Sequence, residues 1–115
     1  MSKSEPPSTH LTLEEATQSM AVDYFSRKVL LGMVSGKIAL QNLSPDNTIS
    51  STSIIHAHES PVMSVDWAHP SVADMFVSCE EAGIVRVWLR KNAAEGYITI
   101  FETRLPQGVR LCIYI

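Results

Sequence analysis

The stretch 58-HESPVMSVDWAHPSVADMFVSCEEAGIVRVW-88 decides the fold. A polar loop led by His58 opens it. An alternating segment, PVMSVDW, follows, and after a short connection come MFVSC, a turn at Gly83 and the alternating IVRVW. Period-two alternation over four to eight residues, bounded by Gly, Pro and Ser, is the signature of half-buried β-strands. Working outward, the same rhythm appears upstream in MAVDY, KVLLGMV, KIALQNL and TSIIHA, and downstream in GYITIFETR. The predicted strands fall into two sets of four. Val22-Asp23-Tyr24 and Val65-Asp66-Trp67 match with one aromatic exchanged, 65 − 22 = 43 residues apart, and Gly36 and Gly83 each open a third strand at a separation of 47. The second set is thus expected to carry about four more residues between its first two strands. A period of about 40–45 residues is that of a four-stranded β-propeller blade, a unit that cannot bury both of its faces alone. The expected fold is all-β: a partial propeller of about two antiparallel four-stranded blades.

Composition sets outer bounds. The chain has 115 residues, 45% hydrophobic and 18% charged, which suits a globular unit. A net charge of −3 argues against a nucleic-acid surface, which needs a concentrated basic stripe. Arg86, Arg90 and Lys91 form a local basic group, read as a solvated face. Cys79 and Cys112 lie in apolar strand-like runs and are expected to be buried free thiols in a reducing compartment. The opening MSKSEPPST is polar, without the apolar run of a secretory signal, and no apolar run approaches the roughly 20 residues that cross a bilayer. A soluble intracellular or peripheral protein is expected.

The chain divides into a flexible N-terminal arm (1–17), a degenerate first blade (18–57), a second blade (58–103) and a divergent C-terminal tail (104–115). Within the arm, Thr9 or Thr12 could cap a helical turn over LEEA, whose Glu14 and Glu15 favour a helix N-terminus.

The second unit is similar to a WD-type blade. Such blades commonly bury a hydrogen-bond chain of a His before the first strand, a Ser or Thr on the second, a Trp on the third and an Asp in the turn between second and third. Buried polar groups must be paired, and a satisfied network sets how strands and turn stack. His58, Ser78 and Trp88 occupy three of the four places. The Asp place falls at Ala82, so the network is expected to lack an acceptor for His58 and the turn to be loose. In the first unit Gln41 stands at the Trp place and Leu31 at the Ser place, leaving apolar packing of Val29, Leu30, Ile38 and Leu40.

A narrower resemblance rests on 58-HESPVMSVDWAHP-70 and 76-FVSCEEAGIVRVW-88. These resemble the second blade of the WD-repeat subunit shared by the COPII vesicle cage and the nuclear-pore Y-complex. The tetrapeptide Trp67-Ala68-His69-Pro70 is the sharpest part, and the nuclear-pore paralogue of that subunit shares it. Ala21-Val22-Asp23-Tyr24-Phe25 and Gly36-Lys37-Ile38 resemble the same family's first blade. The family's Ser-x-Asp turn is Glu80-Glu81-Ala82 here, and 104-RLPQGVRLCIYI-115 does not continue into a third blade.

The resemblance implies scaffolding. The family's open propeller is completed by a blade from an α-solenoid coat or pore subunit, a form of β-augmentation. It implies protein partners, no nucleic acid, no cofactor, and membrane association only through the assembly. The expected site is cytoplasmic, at the ER membrane and COPII vesicles or at the nuclear pore, in ER-to-Golgi transport. With about two blades, the chain is expected to be a truncated form. A generic WD-type adaptor of another complex and a non-functional fragment are the competing readings.

Catalytic and metal chemistry find little footing. His56-x-His58 with His69 and Cys79 could supply zinc ligands, but His58 and His69 already have places in the blade. No Walker loop, dinucleotide fingerprint or nucleophile elbow occurs. Asp23, Asp66 and Asp74 read as surface or turn acids. Trp67, Trp88, Tyr24 and Phe76 read as blade core rather than a base-stacking platform.

Overall fold

The computed structural model describes residues 16–92 and 95–106. Among them are eight strands and no helix. The strands are β1 (Thr17–Val22), β2 (Lys28–Met33), β3 (Lys37–Leu43), β4 (Ile49–His56), β5 (Val62–Trp67), β6 (Met75–Glu80), β7 (Ile84–Asn92) and β8 (Gly96–Arg104). They form two antiparallel four-stranded sheets, ordered β1-β2-β3-β4 and β5-β6-β7-β8. The helical turn expected over LEEA and most of the C-terminal tail, with Cys112, lie outside the described residues.

Each sheet is a meander of short hairpins. β1 stops at Val22 because Asp23 folds back on itself: its Oδ1 accepts the amides of Arg27 (2.7 Å) and Lys28 (2.9 Å). Gly36 closes the β2–β3 turn at φ +95°, a conformation that L side chains resist. It also lets the sheets approach, since a Cβ there would stand 2.2 Å from the His58 carbonyl oxygen.

The core lies between the sheets. Leu30, Ile38 and Leu40 of the first meet Val62, Val65, Phe76 and Trp88 of the second, with Ala57 from the connection between them. Each such fully buried apolar side chain stabilises by about 1.5–3 kcal/mol. The neighbouring residues along β2 and β3 point the other way, as strand alternation requires, and Leu31, Met33 and Ala39 form a second cluster with Val29. Val77, Cys79 and Val85 do the same on the far face of the second sheet, joined by Leu105. The sheets meet chiefly where β5 lies against β1 and β2, and they diverge toward β4 and β8. Two wedges converging on their first strands are the geometry of consecutive blades.

The internal repeat is real, but its register is not the one the matching tripeptides suggest. Val29 faces Gln41 and Phe76 faces Trp88, so Val29 and Phe76 are equivalent. Across from them stand Val22 and Trp67, 67 − 22 = 45 residues apart. Both first strands also carry the same irregularity, at Thr17/Ser19 and at Val62/Ser64. The second unit therefore has two extra residues between its first strands, not four. Tyr24 is not the partner of Trp67: it lies past the end of β1, in the Asp23 turn, and is 69% exposed. The expectation that Tyr24 belongs to the blade core is overturned for this reason.

Candidate functional site

His58 sits in the connection between β4 and β5, anchored by its amide to the Gly36 carbonyl (2.9 Å). Ser78 lies mid-β6 with no exposure, and Trp88 lies on β7. The structure brings the three together. His58 Nε2 is 2.6 Å from Ser78 Oγ, and Trp88 Nε1 donates to the same oxygen at 2.9 Å.

The carboxylate that Ala82 cannot supply comes from Glu80. It is 4% exposed, with Oε1 3.4 Å from His58 Nδ1. Its other oxygen, Oε2, accepts from the Ser60 amide (3.0 Å) and the Ser60 hydroxyl (2.5 Å). A carboxylate therefore approaches His58 from the strand rather than from the turn, while Nδ1 itself makes no hydrogen bond. Ser78 and Glu80 are two apart on β6, so both side chains face the His58 connection. That period-two relation is the signal in the sequence that could have identified Glu80. The His58 Nδ1 contact is a charge approach without hydrogen-bond geometry. A carboxylate opposite Nδ1 favours the tautomer protonated there, leaving Nε2 to accept the Ser78 hydroxyl.

The electrostatics follow from burial. Desolvation holds the His58 pKa below 6.5, with Arg86 acting the same way and Glu80 opposing. Burial alone would raise the Glu80 carboxyl, but its Ser60 hydrogen bonds and His58 together hold it below 4.5. Ser78, His58 and Glu80 follow one another like a nucleophile, base and orienting acid. Ser78, however, is wholly buried and its oxygen is engaged by Trp88, so no outside substrate reaches it. The arrangement locks the connection onto the blade.

Arg86 joins this lock and is more than a solvated charge. Its Nε pairs with Glu102 Oε1 at 2.8 Å, and its Nη1 donates to the Ala57 carbonyl. Arg90 and Lys91 are the exposed members of that basic group, with Lys91 3.3 Å from Glu95.

The Trp67-Ala68-His69-Pro70 turn is at the other end of β5 from His58. Trp67 is partly buried and donates Nε1 to the Ala21 carbonyl across the sheets (3.2 Å). Ala68 is buried, and its amide bonds to Met75 O at 2.9 Å. His69 and Pro70 are exposed; His69 Nδ1 accepts the Ser71 amide at 3.1 Å. The two ends of β5 are linked through aromatic contacts: Trp67 meets Phe76 edge-on at 5.5 Å, and Phe76 stacks on Trp88 at 5.8 Å.

A second tie between the sheets was not anticipated from sequence. Lys28 Nζ bonds to Asp74 Oδ1 (3.0 Å) and to Tyr97 OH (3.1 Å), and lies 5.0 Å from the centre of the Trp67 ring. Tyr97 OH donates to Asp74 Oδ1 at 2.6 Å. Burial and then Asp74 push the Tyr97 hydroxyl far above its usual pKa, so it stays a donor. Burial raises the Asp74 carboxyl, but Tyr97, Lys28 and Arg90 outweigh it and leave the pKa low. Asp74 thus joins two sheets and is more than a turn acid. His56, His58, His69 and Cys79 do not converge: among the described residues, no three His, Cys, Asp or Glu side chains gather as a metal site. Cys79 is a buried free thiol.

No protein-family model matches the chain. Among curated proteins it is similar to Protein transport protein SEC13 of Mycosarcoma maydis, at 22% identity over 81% of this chain and 26% of that one. A SEC13 of Cryptococcus neoformans is 24% identical over 81% of this chain and 28% of that protein. The SEC13 homolog A of Arabidopsis thaliana is 23% identical over 68% of this chain and 26% of its own. The chain spans about a quarter of the length of these relatives. Among solved structures, the β-propeller domain of Cps50 (Swd1) from Myceliophteria thermophila superposes with a TM-score of 0.60 at 9% identity, covering 79% of this chain and 28% of that one. In sequence the chain is thus similar to SEC13 proteins over one part of their length, and in fold it is a partial WD-type β-propeller of two four-stranded antiparallel blades.

Proposed function

We propose that the chain is a non-catalytic scaffold module of WD-repeat type in protein transport, working within a membrane-coat or nuclear-pore assembly. The observation that carries the reading is the pairing of two packed, propeller-type blades with similarity to SEC13 proteins from fungi and a plant. The 1–17, 18–57, 58–103 and 104–115 division describes its arm, two blades and tail. His58, Ser78 and Trp88 hold the second blade to its connection, and Trp67, Ala68, His69 and Pro70 make its family-like turn.

A wedge of two blades leaves sheet faces and edges that a ring would cover, and unpaired edges invite further strands. In this reading an α-solenoid coat or pore subunit supplies a blade by β-augmentation. The chain is placed at the cytoplasmic face of the ER and its transport vesicles, or at the nuclear pore, and it meets the membrane only through the assembly. Affinity capture of the tagged full chain from native extract tests this. Recovery of solenoid coat or pore subunits is expected. Their consistent absence refutes the reading, and recovery of an unrelated complex would make the chain a WD-type adaptor elsewhere.

A further inference from the structure

Three of the four most exposed large apolar side chains gather at one end of the wedge, the fourth, Met20 (64% exposed), lying on β1. Tyr24 (69% exposed), Phe25 (63%) and Val72 (61%) lie in the two loops that close the same end of the wedge, the β1–β2 turn and the β5–β6 loop. Between these loops is a pocket of ≈ 230 Å³, about one side chain in size, with Trp67, Ala68 and Pro70 in its apolar wall and Asp23 beside Tyr24. The aromatic rings are already arranged: Tyr24 packs against Phe25 at 5.2 Å edge-on and against His69 at 5.0 Å. The loops are held by the Trp67–Ala21 bond and by the Lys28–Asp74 pair, so the pocket is preformed.

Charge decides the occupant. Lys28 spends its charge on Asp74, and Arg90 also lies 3.9 Å from that carboxylate. Asp23 is in no ion pair among the described residues, and only its Oδ1 is engaged, by two backbone amides. A purely apolar occupant would strip water from that carboxylate and leave it unpaired. A guanidinium satisfies both halves of the site: its flat face stacks on the aromatic rings, and its fork pairs with a carboxylate. An ammonium offers no such plane. We propose that this pocket docks an arginine side chain presented by a partner peptide, on a surface separate from the sheet edges invoked above.

The test uses the full chain and three probes: acetyl-Gly-Arg-Gly-amide and its Lys and Phe counterparts, titrated at low salt while the Tyr24, His69 and Trp67 ring resonances are followed. Saturable shifts are expected with the arginine peptide, at an affinity about fivefold or more above the other two. Asp23→Asn keeps an oxygen for the Arg27 and Lys28 amides and removes the charge; with Tyr24→Ala it is expected to weaken the arginine peptide about tenfold. Absence of shifts, equal or tighter binding of the phenylalanine peptide, or unchanged affinity in folded Asp23→Asn would each overturn the proposal. Failure of solenoid subunits to co-purify leaves these outcomes untouched, so the two readings are tested apart.

Discussion

Replacing Glu80 by alanine isolates the substitute acceptor from everything else in the blade. The substitution takes away the oxygen that receives the Ser60 amide and hydroxyl, and the charge 3.4 Å from His58 Nδ1. A hydrogen bond to a charged group contributes about 1.5–3 kcal/mol, and a buried donor stripped of its acceptor costs about 1–3 kcal/mol. Ser60 is only partly buried, so water recovers some of its loss, whereas the enclosed His58, whose Nδ1 makes no hydrogen bond, loses only the nearby charge. The expected cost is about 2–4 kcal/mol, comparable with the ~3–5 kcal/mol of Trp88→Ala. Glu80→Gln, which retains an acceptor for Ser60, should lose about half as much. Urea unfolding of the full chain, followed by the fluorescence of Trp67 and Trp88, reads all three. If Glu80→Ala cost less than about 0.5 kcal/mol while Trp88→Ala cost several, Glu80 would be a bystander. The connection would then be held by packing alone.

Three further outcomes are expected. Stability should fall as the pH drops from about 7 toward 4, because both groups of the pair have lowered folded pKa values. The unfolded chain then binds more protons: the His58 contribution is lost below 6.5 and the Glu80 contribution below 4.5, and unfolding midpoints that stay flat across this window would contradict the buried pair. Gly36→Ala should destabilise by more than about 2 kcal/mol, since it combines positive φ with a backbone clash, whereas Gly96→Ala, with φ +69° and open space, should cost about 1 kcal/mol in the same melts. In a Cys112→Ser chain, the Cys79 thiol, kept protonated by burial and then by Glu80, should react with a maleimide only as fast as the chain opens, and rapid labelling of that folded chain would contradict its place in the core.

Much of the second blade was legible in the residues themselves. Strand alternation is local, so PVMSVDW, MFVSC and IVRVW announced β5 to β7, and Gly83 marked their turn without any tertiary information. The placement of His58, Ser78 and Trp88 follows from the same local pattern once the blade is recognised. The first blade was harder to read. Its strand β1 was expected at MAVDY but spans Thr17–Val22, because Asp23 prefers to cap a turn through its own carboxylate.

The sequence by itself determined the strands, the hairpin turns and an all-β fold, because period-two alternation and positive-φ glycines act over a few residues. Only the tertiary structure decided the repeat register of 45, the exposure of Tyr24, the Lys28–Asp74–Tyr97 tie and the role of Glu80. Each depends on which side chain a second sheet or a distant connection brings opposite it. A buried histidine selects a carboxylate by distance and desolvation rather than by position in a motif. Glu80, two residues along β6 from Ser78, is within reach of His58, and Ala82 has no carboxylate to offer.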